Sequence, residues 1–134
     1  MVTGVLERLR DAQNRHDLDL FVACFDPAYR SEQPVYPDRA FVGSEQVRRN
    51  WAEVFAGVPD FRAELVRSAE VGDTWWAEWH WHGTRSDGTG LDMRGVTIFG
   101  VREDRIVWGR LYLEEVEGGQ GIDQAVQQMA HGAE

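Results

Sequence analysis

The chain has 134 residues and a net charge of −9, and all 14 of its basic side chains are arginine. That length suits one domain with a single core, and the acidity argues against a nucleic-acid or anionic-membrane partner, because phosphate binding needs accumulated positive charge. No apolar run approaches the ~18–20 residues of a membrane span, and the opening Met1-Val2-Thr3-Gly4-Val5-Leu6-Glu7-Arg8 lacks an apolar signal core, so the expected location is cytoplasmic.

Val2 to Asn14 reads as an amphipathic helix, with Val5, Leu6, Leu9 and Gln13 on one stripe and Glu7, Arg8, Arg10 and Asp11 opposite. Asp17 is a suitable N-cap for a short second helix whose inner face is Leu18, Phe21, Val22 and Phe25, ended by Asp26-Pro27. The lone Cys24 falls among those apolar residues and reads as a small buried hydrophobe. Tyr29 to Gln33 is a short extended piece, and Pro34 and Pro37 force a non-helical bend around Val35 and Tyr36. After Gly43, Ser44 can cap a third helix with the core stripe Val47, Trp51, Val54 and Phe55, stopped by Gly57 and Pro59.

Phe61 to Val71 reads as a strand, turned by Gly72-Asp73 into a meander of Thr74–Arg85, Leu91–Arg102 and Arg105–Val116. Alternation sorts the meander into two faces. Trp75, Ala77, Trp79 and Trp81 share one face with Gly95, Thr97, Phe99, Leu111 and Leu113. Trp76, Glu78, His80 and His82 share the other with Arg94, Trp108, Arg110, Tyr112 and Glu114. Gly118 to Gly121 reads as a flexible hinge before a tail helix that carries Ile122, Val126 and Met129 on one side. Helices followed by a four-stranded antiparallel sheet place the chain in the α+β class. The expected architecture is a cone-shaped curved antiparallel sheet covered by three N-terminal helices, one domain over residues 1–134 with 118–134 as hinge and tail. The interior of such a cone is the natural place for a small-molecule pocket.

Several motifs together resemble the nuclear transport factor 2-like superfamily and, within it, the SnoaL-like (polyketide cyclase-like) branch. They are Phe25-Asp26-Pro27, Glu32-Gln33-Pro34, Gly43 before the third helix, Glu78-Trp79, Gly83-Thr84, Asp104 to Val107, and Leu111-Tyr112-Leu113-Glu114. The resemblance implies the cone fold and a hydrophobic pocket. It leaves activity open, since this fold hosts isomerases, cyclases, epoxide hydrolases and non-catalytic binders. Ketosteroid isomerases use an Asp base with Tyr and protonated Asp donors, where this chain has Gln33, Leu9 and Thr97. The Asp-Arg-Asp set of limonene-epoxide-hydrolase-like members falls near Trp79, Trp81 and Leu111. SnoaL-like cyclases carry an acid–base Asp at the end of the last strand, and Glu114 occupies that place.

Glu114 is therefore the candidate base, with Gln33 or Tyr36 orienting the substrate oxygen, although alternation puts Glu114 on the outer face unless a bulge near the strand end turns it inward. Gln33, Tyr36 and Thr97 are the polar groups expected to face the pocket, and Trp51, Trp79, Trp81, Phe99 and Leu111 its apolar wall. Glu78, His80 and His82 form Glu-x-His-x-His on one strand face, but no third-strand histidine completes a ligand set, so neither a metal nor a cofactor is expected. The outer aromatics mixed with arginine resemble an interface, so a homodimer through that face is expected. Two functional readings stand at this point: a cofactor-free isomerase, cyclase or hydrolase acting on an apolar cyclic or polyketide-like molecule, and a non-catalytic binding or dimerisation module.

Overall fold

The computed structural model describes residues 4–132, so Val2 and Thr3 of the expected first helix lie outside the described residues. Helix α1 spans Val5–Arg15, α2 Leu18–Ala23, α3 Ser44–Gly57 and α4 Ile122–His131. The strands are β1 Phe25–Glu32, β2 Phe41–Val42, β3 Arg62–Val71, β4 Thr74–Thr84, β5 Gly90–Arg102 and β6 Arg105–Glu115. No helix among the described residues is long and apolar enough to cross a membrane.

The first three helices follow local rules. Asp17 caps α2 through its carboxylate, which accepts from the Leu20 N–H at 3.1 Å. Helix α3 starts one residue before the expected cap becomes useful: Gly43, at φ 105°, is the N-cap, and Ser44 is already helical. Helix α1 ends where His16 enters the left-handed region, closing the last turn with its backbone N–H. The His16 ring then stacks on Phe55 at 4.7 Å between centroids, and its Nε2 lies 2.9 Å from the Phe61 carbonyl.

The sheet has six strands in the order β2-β1-β6-β5-β4-β3, two more than the alternation pattern shows. β3 to β6 form the expected antiparallel meander. β1 adds to it in parallel with β6, and the two-residue β2 pairs antiparallel with β1. Asp26-Pro27 does not lie beyond an element: it sits inside β1, where the pairing with β6 shifts between Phe25 and Arg30. Proline, which cannot donate to a ladder, is tolerated at such a bulge. Asp26 shapes it by accepting from the Ala28 N–H at 2.8 Å.

Further shifts at Val66 in β3, and at Val107 in β6 opposite Gly100 and Val101, bend the sheet. Gly95 has φ 157° and presses its α-carbon against the Tyr112 and Leu113 backbone, where any side chain would collide. The result is a curved, unclosed sheet whose concave face is covered by helices. Two ties fix the cover. Asn14 exchanges both amide hydrogen bonds with the Ala63 backbone on edge strand β3, at 2.7 and 3.0 Å. Arg8 reaches the β5–β6 hairpin, donating to the Asp104 carboxylate at 2.7 Å and to its carbonyl at 2.9 Å. Glu103 and Asp104 both have positive φ there, as a two-residue hairpin turn requires. Helix α4 stands apart from this core, with Ile122, Val126 and Met129 all exposed.

Candidate functional site

The concave face encloses a cavity of about 180 Å³. Its floor comes from the inner residues of the meander, Trp79, Trp81, Thr97, Phe99 and Leu111, and its roof from Leu9, Gln13, Phe21, Val47 and Trp51 on the helices. β1 closes one side with Phe25, Tyr29 and Ser31. The more exposed lining residues Gln33, Phe41, Asn50 and Leu111 mark its mouth. The aromatic wall is continuous: Trp51 meets Phe21, Phe61 and Trp81 at 4.6, 5.3 and 5.2 Å between ring centroids.

Polar groups interrupt this wall. Thr97, 2 % exposed, accepts from Trp79 Nε1 at 2.9 Å. Tyr29 is hydrogen-bonded with Ser31, and burial pushes its phenol up to about 12. The hydroxyl fits because position 109 is glycine; a β-carbon there would lie 2.5 Å from Tyr29 Oη. Gln13 and Trp81 differ from these. Gln13 Oε1 and Trp81 Nε1 are both buried, and neither has a hydrogen-bond partner among the described residues. A buried acceptor and a buried donor left unsatisfied each carry a desolvation penalty of about 1–3 kcal/mol. Both belong to residues that line the cavity.

Gln33, Trp51, Trp79, Trp81, Thr97, Phe99 and Leu111 are therefore brought together around one space. Tyr36 and Glu114 are brought together elsewhere. The Tyr36 hydroxyl donates to Glu114 Oε1 at 3.1 Å, both side chains are exposed, and neither lines the cavity. The hydrogen bond to Glu114, followed by that carboxylate's charge, holds the Tyr36 phenol above its ordinary value. β6 pairs with β5 without interruption from Trp108 to Glu115, so no bulge rotates Glu114 inward and it stays opposite Arg94 on the outer face. The pair is still connected to the mouth. Arg39 donates to Gln33 Oε1 at 3.1 Å and stacks 4.0 Å over the Tyr36 ring.

Gln13, Tyr29, Ser31 and Asn50 line the cavity without having been picked out as site residues from sequence. Gln13 offered one signal, a polar residue on an otherwise apolar helical stripe. Tyr29 and Ser31 alternate with the exposed Arg30 and Glu32, but so short a run does not assign a face until β1 pairs with β6.

The arrangement defines a class: an α+β cone with an aromatic interior, open at one end. The chain belongs to the SnoaL-like domain family, whose model matches residues 6–108. Among solved structures it is similar to IdmH of Streptomyces antibioticus, described as a candidate polyketide cyclase. That match has 21 % identity and a TM-score of 0.72, and covers 82 % of this chain and 89 % of that one. An epoxide hydrolase of the limonene-epoxide-hydrolase-like type from M. tuberculosis matches with 16 % identity and a TM-score of 0.70, over 82 % and 80 % of the two chains. A protein of ketosteroid isomerase-like fold from Catenulispora acidiphila, in complex with trimethylamine, matches with 14 % identity and a TM-score of 0.69, over 84 % and 86 %. At these identities the likeness is one of fold. No curated protein matches the sequence.

Proposed function

We propose that this protein binds a small, largely apolar ring compound inside the cone, one that offers an acceptor to Trp81 Nε1 and a donor to Gln13 Oε1. The observation that supports this reading is the pair of unsatisfied buried polar atoms on residues of an aromatic cavity. A cavity of about 180 Å³ suits one ring with a short substituent, given that an apolar cavity of ~150 Å³ accepts benzene. A larger polyketide-like molecule would place one ring inside and the rest across the mouth formed by Gln33, Phe41 and Asn50.

A catalytic role is the second reading, and the Tyr36–Glu114 hydrogen bond favours it. None of the described lining residues is a carboxylate or an imidazole. Proton transfer would therefore fall to Glu114, acting as base on the part of the ligand that emerges at the mouth, with Tyr36 releasing its hydrogen bond as the proton arrives. We further propose that two copies pair through the outer sheet face, where Trp76 and Tyr112 stand exposed among arginines.

Fluorescence titration of the tryptophans with a panel of cyclic ketones, phenols and lactams tests the binding reading. Trp81→Phe keeps the aromatic wall and removes the donor, so affinity for a bound panel member is expected to drop about tenfold, the equivalent of ~1.4 kcal/mol. A ligand that binds equally well to Trp81→Phe and to a Gln13→Met variant overturns the assignment.

A further inference from the structure

The outer face of the sheet carries a second constellation, unconnected with the cavity. β3 and β4 pair so that Arg62 faces His82 and Glu64 faces His80, and alternation points all four side chains away from Trp79 and Trp81. The Glu64 carboxylate spans both imidazoles: Oε2 lies 3.3 Å from His80 Nδ1, and Oε1 lies 3.5 Å from His82 Nε2. One potential ligand atom from each of the three residues falls within 4.8 Å of the others. From β5, Asp92 Oδ1 lies 2.7 Å from His80 Nε2. The sequence pattern suggests Glu78 as the acidic neighbour of the two histidines, but Glu78 is engaged with Arg67 at 2.9 Å. The carboxylate that meets them comes from the adjacent strand.

His80 is thus flanked by a carboxylate at each ring nitrogen. A neutral imidazole carries one N–H, so only one of those contacts can be a hydrogen bond. The shorter one assigns the proton to Nε2, donated to Asp92. The Nδ1 lone pair of that neutral ring then faces the Glu64 oxygen across 3.3 Å, a contact that a second ring proton or a bound cation would each turn attractive. An imidazole held by a carboxylate at one nitrogen, with its other nitrogen free to coordinate, is the usual support for a metal-bound histidine. Ligand atoms around an ion with ~2.1 Å bonds in tetrahedral geometry lie about 3.4 Å apart, near the 3.3 and 3.5 Å from the two Glu64 oxygens to the two imidazoles, and a small contraction from the 4.8 Å limit would close the set.

We propose that Glu64, His80 and His82 form a binding site for a zinc-type divalent ion, with Asp92 as the positioning residue for His80. Two imidazoles and a carboxylate suit a borderline ion of the Zn²⁺ kind better than a hard, all-oxygen-seeking one. Three protein ligands leave a fourth position for a water molecule. The ion would fasten β3 to β4 beside the bulge between Leu65 and Arg67, where the ladder is interrupted.

The test uses the full chain, stripped with a chelator and titrated with zinc in competition with a chromogenic zinc indicator. One ion per chain is expected to bind. Glu64→Gln and His82→Ala are each expected to weaken it at least tenfold, and Asp92→Asn by about 10–100-fold. His131→Ala, in the exposed tail helix, is the control and should change nothing. Circular dichroism of each variant confirms that the fold is retained, and a zinc-dependent rise in melting temperature, lost in Glu64→Gln, gives a second readout. Absence of stoichiometric binding overturns the proposal, as does binding that survives both Glu64→Gln and His82→Ala in folded protein.

Discussion

Trp79 and Thr97, on neighbouring strands, are joined by an indole N–H donated to a threonine hydroxyl at 2.9 Å, with side chains almost completely buried. Two residues along the same strand face, Trp81 has the same N–H and no partner among the described residues. One indole therefore belongs to the framework, and the other is free to meet a ligand. Thr97→Val keeps the shape and strands the Trp79 donor, so the protein should lose about 1–3 kcal/mol of stability. Urea unfolding at neutral pH measures this, and an unchanged midpoint would mean that the bond carries no weight.

Gln13 predicts a change of the opposite sign. Its Oε1 is desolvated on the apolar side of α1 without a hydrogen-bond partner among the described residues. Gln13→Met conserves length and removes the unsatisfied acceptor, so the unliganded protein should gain about 1–2 kcal/mol. Ligand affinity should fall in the same variant, as expected where a binding residue is kept at a cost to stability. Thermal unfolding with and without a bound panel compound separates the two effects, and a destabilised Gln13→Met protein would contradict this account.

The alkaline limb of stability depends on two buried acids. Burial is the main cause that raises Cys24 from 9.0 to about 11 and Tyr29 from 10.0 to about 12. Both folded values lie above the unfolded ones, so their contribution is fully present below pH 9 and is lost as the pH rises through 11 and 12. Unfolding midpoints measured from neutral pH upward should decline over that window, and Cys24→Ala combined with Tyr29→Phe should flatten the decline. At neutral pH the Cys24 thiol should also react slowly with a disulfide reagent, because its thiolate is scarce and buried.

Glu114 distinguishes the two functional readings. If it accepts a proton from a ligand at the mouth, Glu114→Gln should lower turnover by roughly 10²–10⁴-fold while leaving binding in the cavity intact. Tyr36→Phe should have a smaller effect, since it removes a hydrogen bond to the base and not the base itself. Full turnover by folded Glu114→Gln protein on any converted compound would remove Glu114 as the base.

Pairing through the outer sheet face predicts a dimer in sedimentation experiments at micromolar concentration. Trp76, 44 % exposed, is the largest exposed apolar group on that face. Trp76→Glu should shift the equilibrium to monomer without unfolding the chain, and a wild-type monomer would remove the proposal.

The alternation of Trp75, Ala77, Trp79 and Trp81 with charged neighbours determined the meander and which of its faces is inside, because a period of two leaves no other orientation once one face is buried. The stripes of α1 and α3 and the Asp17 cap were equally local, and so equally legible, whereas Phe25, read as the end of the second helix stripe, opens β1. What lay beyond the sequence depends on register between segments far apart in the chain. Pro27 looked like a terminator, yet pairing with β6 makes it a bulge within β1, and that strand delivers Tyr29 and Ser31 to the cavity. Glu114 and Tyr36 were both visible as candidates, but only the uninterrupted β5–β6 ladder decided that Glu114 stays outside, and only the bend after Gln33 brings Tyr36 to it. His80 and His82 announced themselves by spacing, while Glu64 could not, because the antiparallel pairing of β3 with β4 is what carries its carboxylate to their imidazoles. Local periodicity determines faces; contact between side chains on different elements is set by strand register and bulges, which one stretch of sequence does not encode alone.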